Sequence, residues 1–108
     1  MGLISMAAGG RVDFGFLERL AAGDQGLMKE VLDIFLAEAE GWSARLVDAD
    51  GGAAADIVHT VKGSGRAIGA HALGDLCEDW ETGEIDDLGP VRDELEAVLA
   101  EVRAWSPV

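Results

Sequence analysis

Met28, Val31, Phe35, Ala39, Trp42 and Leu46 recur at intervals of three and four. That spacing lays all six on one face of an α-helix, whereas a strand would scatter them over both of its faces. The same rhythm returns in Leu73, Leu76, Cys77 and Trp80, and again in Val91, Leu95, Val98, Leu99 and Val102. Tyrosine is absent, threonine is scarce and no useful period-two alternation occurs. A sheet therefore has no material to be built from.

Turn and cap residues divide the helical pattern into segments. Residues 1–12 read as a flexible leader. Asp13 is placed to cap a short helix with Phe14, Leu17 and Leu20 on its apolar side. Ala22-Gly23-Asp24 ends that helix, and Asp24 caps a long second one over about residues 25–48. Asp50-Gly51-Gly52 is the clearest break. A third helix is predicted over about 53–68, ended by Gly69, and a fourth over roughly 70–82. Residues 83–89 form a loop, and Pro90 sits in the first turn of the last helix, where its missing N–H costs nothing. Gly15, Gly41 and Gly74 fall inside predicted helices at about 1 kcal/mol each against alanine, which marks them as places where helices approach closely. The expectation is an all-α domain over residues 13–108: an antiparallel up-down four-helix bundle with a short N-terminal capping helix.

Composition excludes several classes of function. A chain of 108 residues is one domain, and its single cysteine, Cys77, forms no internal disulfide. No apolar stretch approaches the roughly 20 residues that span a bilayer, and the N-terminus lacks the basic and apolar regions of a signal peptide. A reducing cytoplasm and a monomer are expected. The net charge of −13, from 21 acidic and 8 basic residues, repels nucleic acid, and no basic stripe offsets it; no membrane partner is expected either.

The third helix holds the chemistry. At 100° per residue, Ile57, Val61 and Ile68 lie within roughly 20° of the direction opposite His59, so a core on that side turns His59 to water. Lys62, Gly63 and Arg66 lie within about 60° of the histidine. A side chain at position 63 would lie beside the imidazole and obstruct docking, and glycine there removes the obstruction at a cost in helix propensity. An exposed imidazole with a cation one turn away suits a nucleophile that carries an anionic group and must be reached by another protein. By helical phase the acidic residues lie elsewhere, Asp56 being nearest at one turn back.

His59-Thr60-Val61-Lys62-Gly63-Ser64-Gly65, Ile68-Gly69-Ala70, then Leu73, Cys77 and Glu81 resemble the histidine-containing phosphotransfer (HPt) domain. That family shows His-x-Leu-Lys-Gly-Ser/Ala-Ser/Ala, then Leu-Gly and a Leu…Cys…Glu helix. Val61 replaces the usual leucine and Gly65 a small polar residue or alanine. The resemblance implies that His59 accepts the phosphoryl group through Nε2 and that Lys62 stabilises it. Gly63 would leave room for the partner, and Ser64 would pack or cap locally rather than react. By helical phase rather than by the resemblance, Arg66 joins Ser64 as a candidate docking residue. The implied partners are receiver domains of response regulators or hybrid histidine kinases, whose aspartyl phosphate exchanges with the histidine. The receiver supplies Mg²⁺ and most catalytic groups, so this chain needs no cofactor and no metal site and is not itself an enzyme.

Two other functions fit the same residues: the phosphoacceptor domain of a chemotaxis-type histidine kinase, and a helical adaptor in which His59 is incidental. His71 lies beyond the Gly69 break without lysine or glycine companions and reads as a surface or capping residue. The spacing of His59, His71, Cys77 and Glu78 matches no dense zinc pattern. Trp42, Trp80 and Trp105 read as packing residues.

Overall fold

Asp13 and Asp24 do what their positions suggest. The Asp13 side chain accepts from the Phe16 backbone N–H at 2.9 Å, and that of Asp24 accepts from Leu27 at 3.0 Å. Each satisfies an N–H that the helix itself leaves unpaired. The computed structural model describes residues 10–106 and contains six helices among them: α1 Phe14–Leu20, α2 Gln25–Ala39, α3 Trp42–Asp48, α4 Gly51–Ala67, α5 His71–Thr82 and α6 Gly89–Ala104. They form an all-α bundle with extents of 42 × 26 × 20 Å.

The predicted second helix is broken. Glu40 leaves the helical region at ψ 119°, and Gly41 takes a left-handed φ of 92°, which separates α2 from α3. A left-handed residue suits glycine and stops the helical ladder. The apolar rhythm runs on across the break, so Met28, Phe35, Ala39, Trp42 and Leu46 are all buried despite it. Phe35 and Trp42 meet edge to face across the break, with centroids 5.7 Å apart.

The core is continuous. Leu46, Val58, Val61, Leu73, Cys77, Val91, Leu95 and Val98 are its largest fully buried side chains. On α6 the buried set, Val91, Leu95, Val98, Leu99 and Val102, is the predicted stripe. On α4 the stripe is turned. Ala54, Val58, Val61, Gly65 and Ile68 are buried and Ile57 only partly, a rotation of roughly 40° from the predicted direction. The cause is α5. Gly65 faces Leu73, and a Cβ added at Gly65 would lie 3.2 Å from Leu73 Cδ2. Gly74 likewise marks a close approach, here to the Arg66 side chain.

Of the predicted leader, residues 1–9 lie outside the described part of the chain, but Arg11 and Val12 belong to the bundle. Their backbone N–H groups donate to the two carboxylate oxygens of Glu101 at 2.6 and 3.1 Å, and Val12 is buried. Gly69 ends α4 with φ 89°, and its carbonyl accepts from the Asp13 backbone N–H at 3.0 Å. The start of α1 is thereby tied to the α4–α5 connection.

Candidate functional site

His59 stands on the exposed side of α4, its side chain 75 % accessible. The neighbouring residues Val58 and Val61 are fully buried, so the helix is held firmly while the imidazole projects from it. Its Nδ1 lies 3.3 Å from Glu81 Oε2 in the last turn of α5. A carboxylate only accepts, so in the neutral ring this contact selects the tautomer with the proton on Nδ1 and leaves a lone pair on Nε2.

Lys62, one turn after His59, donates from Nζ to the other oxygen of the same carboxylate, Glu81 Oε1, at 2.6 Å. Glu81 therefore bridges imidazole and ammonium. The Lys62 hydrogen bond, joined by that from His59, holds the Glu81 carboxyl below the usual glutamate range against a smaller opposing effect of burial. Lys62 and Glu81 are both about four-fifths shielded, and their pairing keeps the cation beside the histidine.

Gly63 completes the site by omission. A Cβ built there would meet nothing within 4 Å. Nothing among the described residues requires glycine at position 63, and they leave the space beside the imidazole open to another molecule. Ser64, partly buried, lines a shallow depression with Val31, Ile34, Phe35, Glu38, Ala67 and Ile68. A second depression, lined by Leu17, Leu20, Ala21, Leu27, Val31 and Ala67, continues it toward α1. Leu20, Leu27 and Ile34 are 62, 42 and 55 % exposed.

Two expectations about charge are corrected. Arg66 does not join Lys62 beside His59. Its Nη2 donates to Asp75 at 3.2 Å and Glu78 at 2.9 Å on α5. The carboxylate nearest the imidazole in the site is Glu81 and not Asp56, whose backbone carbonyl instead accepts from Thr60 Oγ1 at 3.0 Å. Helical phase could not find Glu81, which comes from another helix. Its signal in the sequence was its place one turn after Cys77 on the α5 stripe.

The remaining residues are accounted for structurally. His71 opens α5, half-exposed, with Nε2 3.6 Å from Asp13 Oδ2 and its ring edge-on to Phe16. Cys77 is buried, and desolvation pushes its thiol up to about 12, which removes it from thiolate chemistry near neutral pH. Trp42 is buried, while Trp80 and Trp105 pack partly buried against the core. Among the described residues no group of three or more His, Cys, Asp or Glu could hold a metal ion, and no helix is long and apolar enough to cross a membrane.

Comparison with known proteins gives this geometry its class. Residues 30–105 match the family model of the Hpt domain, and the chain belongs to that family. It is a phosphocarrier of two-component phosphorelays, which exchanges phosphoryl groups with receiver domains and has no independent catalytic machinery. Among solved structures, it is similar to the histidine phosphotransferase ShpA from Caulobacter crescentus. The two share 43 % identity and a TM-score of 0.80 over 88 % of this chain and 89 % of that one. A search of curated protein sequences finds no match.

Proposed function

We propose that His59 is the phosphoacceptor, working through Nε2. The observation that carries this is the Glu81 carboxylate bridging His59 Nδ1 and Lys62 Nζ beside an open Gly63. The Nε2 lone pair attacks the phosphorus of a receiver's aspartyl phosphate. An N–P bond forms, the acyl P–O bond breaks, and the aspartate leaves as a carboxylate. The imidazole keeps its Nδ1 proton and becomes cationic as the bond forms, and the Glu81 carboxylate stabilises that charge. Lys62 faces the incoming phosphoryl oxygens, and the reverse reaction passes the group to the next receiver. In-line positioning and charge neutralisation are the main demands of such a transfer.

The receiver docks over the exposed side of α4 and the adjoining surface of α1 and α2, with Ser64 at the centre of the contact. Support comes from the continuous apolar surface of Leu20, Leu27, Val31, Ile34 and Ala67 beside the site. A transient signalling contact of this kind buries under about 1,200 Å². The bundle has the up-down antiparallel arrangement, with α2 and α3 together as one of four long elements and α1 as the cap. Pairing of rising numbers on α4 with falling numbers on α5 (His59 and Lys62 with Glu81, Arg66 with Glu78 and Asp75) supports this for the central pair. The protein acts as a cytoplasmic monomer.

The test is transfer from a receiver domain preloaded with a small-molecule phosphodonor and Mg²⁺ to the wild-type chain and to His59→Gln, read by intact mass. An acid-labile phosphoryl group on wild type and none on the variant is expected. Label on both proteins would move the site to His71, and no transfer from any of a broad panel of receivers would favour the adaptor.

A further inference from the structure

Arg66 is the one residue of the predicted site whose surroundings do not match the role expected of it. Its stem crosses Gly74 so closely that a Cβ at that position would lie 2.5 Å from Arg66 Cγ and 2.6 Å from Nε. Only glycine leaves this path free. The guanidinium then ends between two α5 carboxylates one turn apart, Asp75 and Glu78. Glu78 precedes Glu81 by three residues on α5, as Lys62 precedes Arg66 by four on α4. The two helices are therefore joined by successive rungs: Arg66 to Asp75 and Glu78, then Lys62 and His59 to Glu81.

We propose that Arg66 is a positioning residue for the phosphoryl transfer. Laid across Gly74 and fastened to Asp75 and Glu78, it sets the register of α5 on α4 and so fixes where Glu81 meets His59 Nδ1. The proposal rests on the phosphoacceptor reading of His59 but assigns Arg66 a different task from docking. A guanidinium is suited to it, because its planar fork can hold two carboxylates while its stem packs against backbone. A small displacement of Glu81 would lengthen the Nδ1 contact and release the imidazole to both tautomers, one of which has no lone pair on Nε2. Misplacement of a reacting group on that scale is costly to rate.

Two measurements on the full chain test this. Nitrogen-15 spectra of the imidazoles report the His59 tautomer without any receiver, and transfer from a phosphorylated receiver is followed over a range of receiver concentrations. For Arg66→Ala, the expected results are a mixed His59 tautomer and a roughly three- to tenfold lower transfer rate at saturating receiver, with the half-saturating concentration unchanged. Gly74→Ala, which displaces the Arg66 stem, reproduces both effects, and the double variant adds nothing to either single one. Arg66→Lys, which keeps a stem and a cation but not the fork, restores the rate only in part. An unchanged tautomer in Arg66→Ala and Gly74→Ala would overturn the proposal. So would a rise in the half-saturating concentration alone, which would make Arg66 a docking contact. The tautomer measurement stands even if the wild-type chain accepts no phosphoryl group, a result that would instead defeat the phosphoacceptor reading.

Discussion

Glu81 Oε2 lies 3.3 Å from His59 Nδ1, across 22 residues of sequence, and is the contact that orients the exposed imidazole. The same carboxylate holds Lys62 at 2.6 Å. In the proposed mechanism this one residue chooses the tautomer, offsets the charge that develops on the ring and keeps a cation at hand for the phosphoryl oxygens.

Glu81→Ala removes the acceptor and leaves the ring free to turn and to change tautomer. Transfer to His59 slows by roughly tenfold, the lower end of what losing an orienting partner of an imidazole costs in metal sites. Glu81→Gln, whose amide oxygen still accepts from Nδ1–H, loses less. Rapid-quench transfer kinetics rank the three proteins, and equal rates would remove Glu81 from the mechanism.

The Lys62–Glu81 pair makes stability depend on acidity in one direction. Its carboxyl is held below the ordinary glutamate value in the folded protein. Below that folded value both states bind the proton and the pair contributes nothing. The stabilisation is complete above the unfolded value of about 4.3 and is lost as pH falls through the lower folded one. Wild type and Lys62→Met therefore differ most above about pH 5 and converge in acid. Urea unfolding at stepped pH measures the difference, and a constant gap across that range would contradict it.

Gly63→Ala separates folding from function. The added methyl meets nothing among the described residues, so the helix gains about 0.5–1 kcal/mol from alanine's propensity. In the proposed docking the same methyl stands in the receiver's path, so a higher half-saturating receiver concentration accompanies the higher melting point. Tighter docking by the variant would show that the open space has no part in access.

Gly69→Ala strikes at the junction of three segments. The residue has φ 89°, and a Cβ there would lie 2.8 Å from the Asp13 carbonyl oxygen and 3.2 Å from Phe16 Cδ2. Backbone strain and collision together cost about 2 kcal/mol or more. Hydrogen exchange should show α1 loosening first, since the Asp13–Gly69 backbone bond ties it down. Protection of α1 equal to wild type would mean that its apolar contacts alone hold it.

Much of this protein is legible locally. Asp13 and Asp24 cap helices because a short oxygen-bearing side chain reaches an N–H three residues on, wherever the helix sits. His59 is exposed and Lys62 is its neighbour because both follow from the pitch of a single helix. The α6 stripe was readable for the same reason. The motif from His59 to Ala70 named the family because all its parts lie within a dozen residues.

What the sequence by itself could not decide is how one helix is turned and slid against another. Helical phase gave each side chain of α4 a bearing relative to His59, but α5 selected Val58 over Ile57 for the core and drew Arg66 away from the histidine. It likewise brought Glu81 to His59 and Lys62 from 22 and 19 residues away, and α6 reached across 90 residues to hold Arg11. Periodicity specifies which face of a helix is apolar, whereas rotation and register between helices depend on how side chains interlock, which no single segment contains.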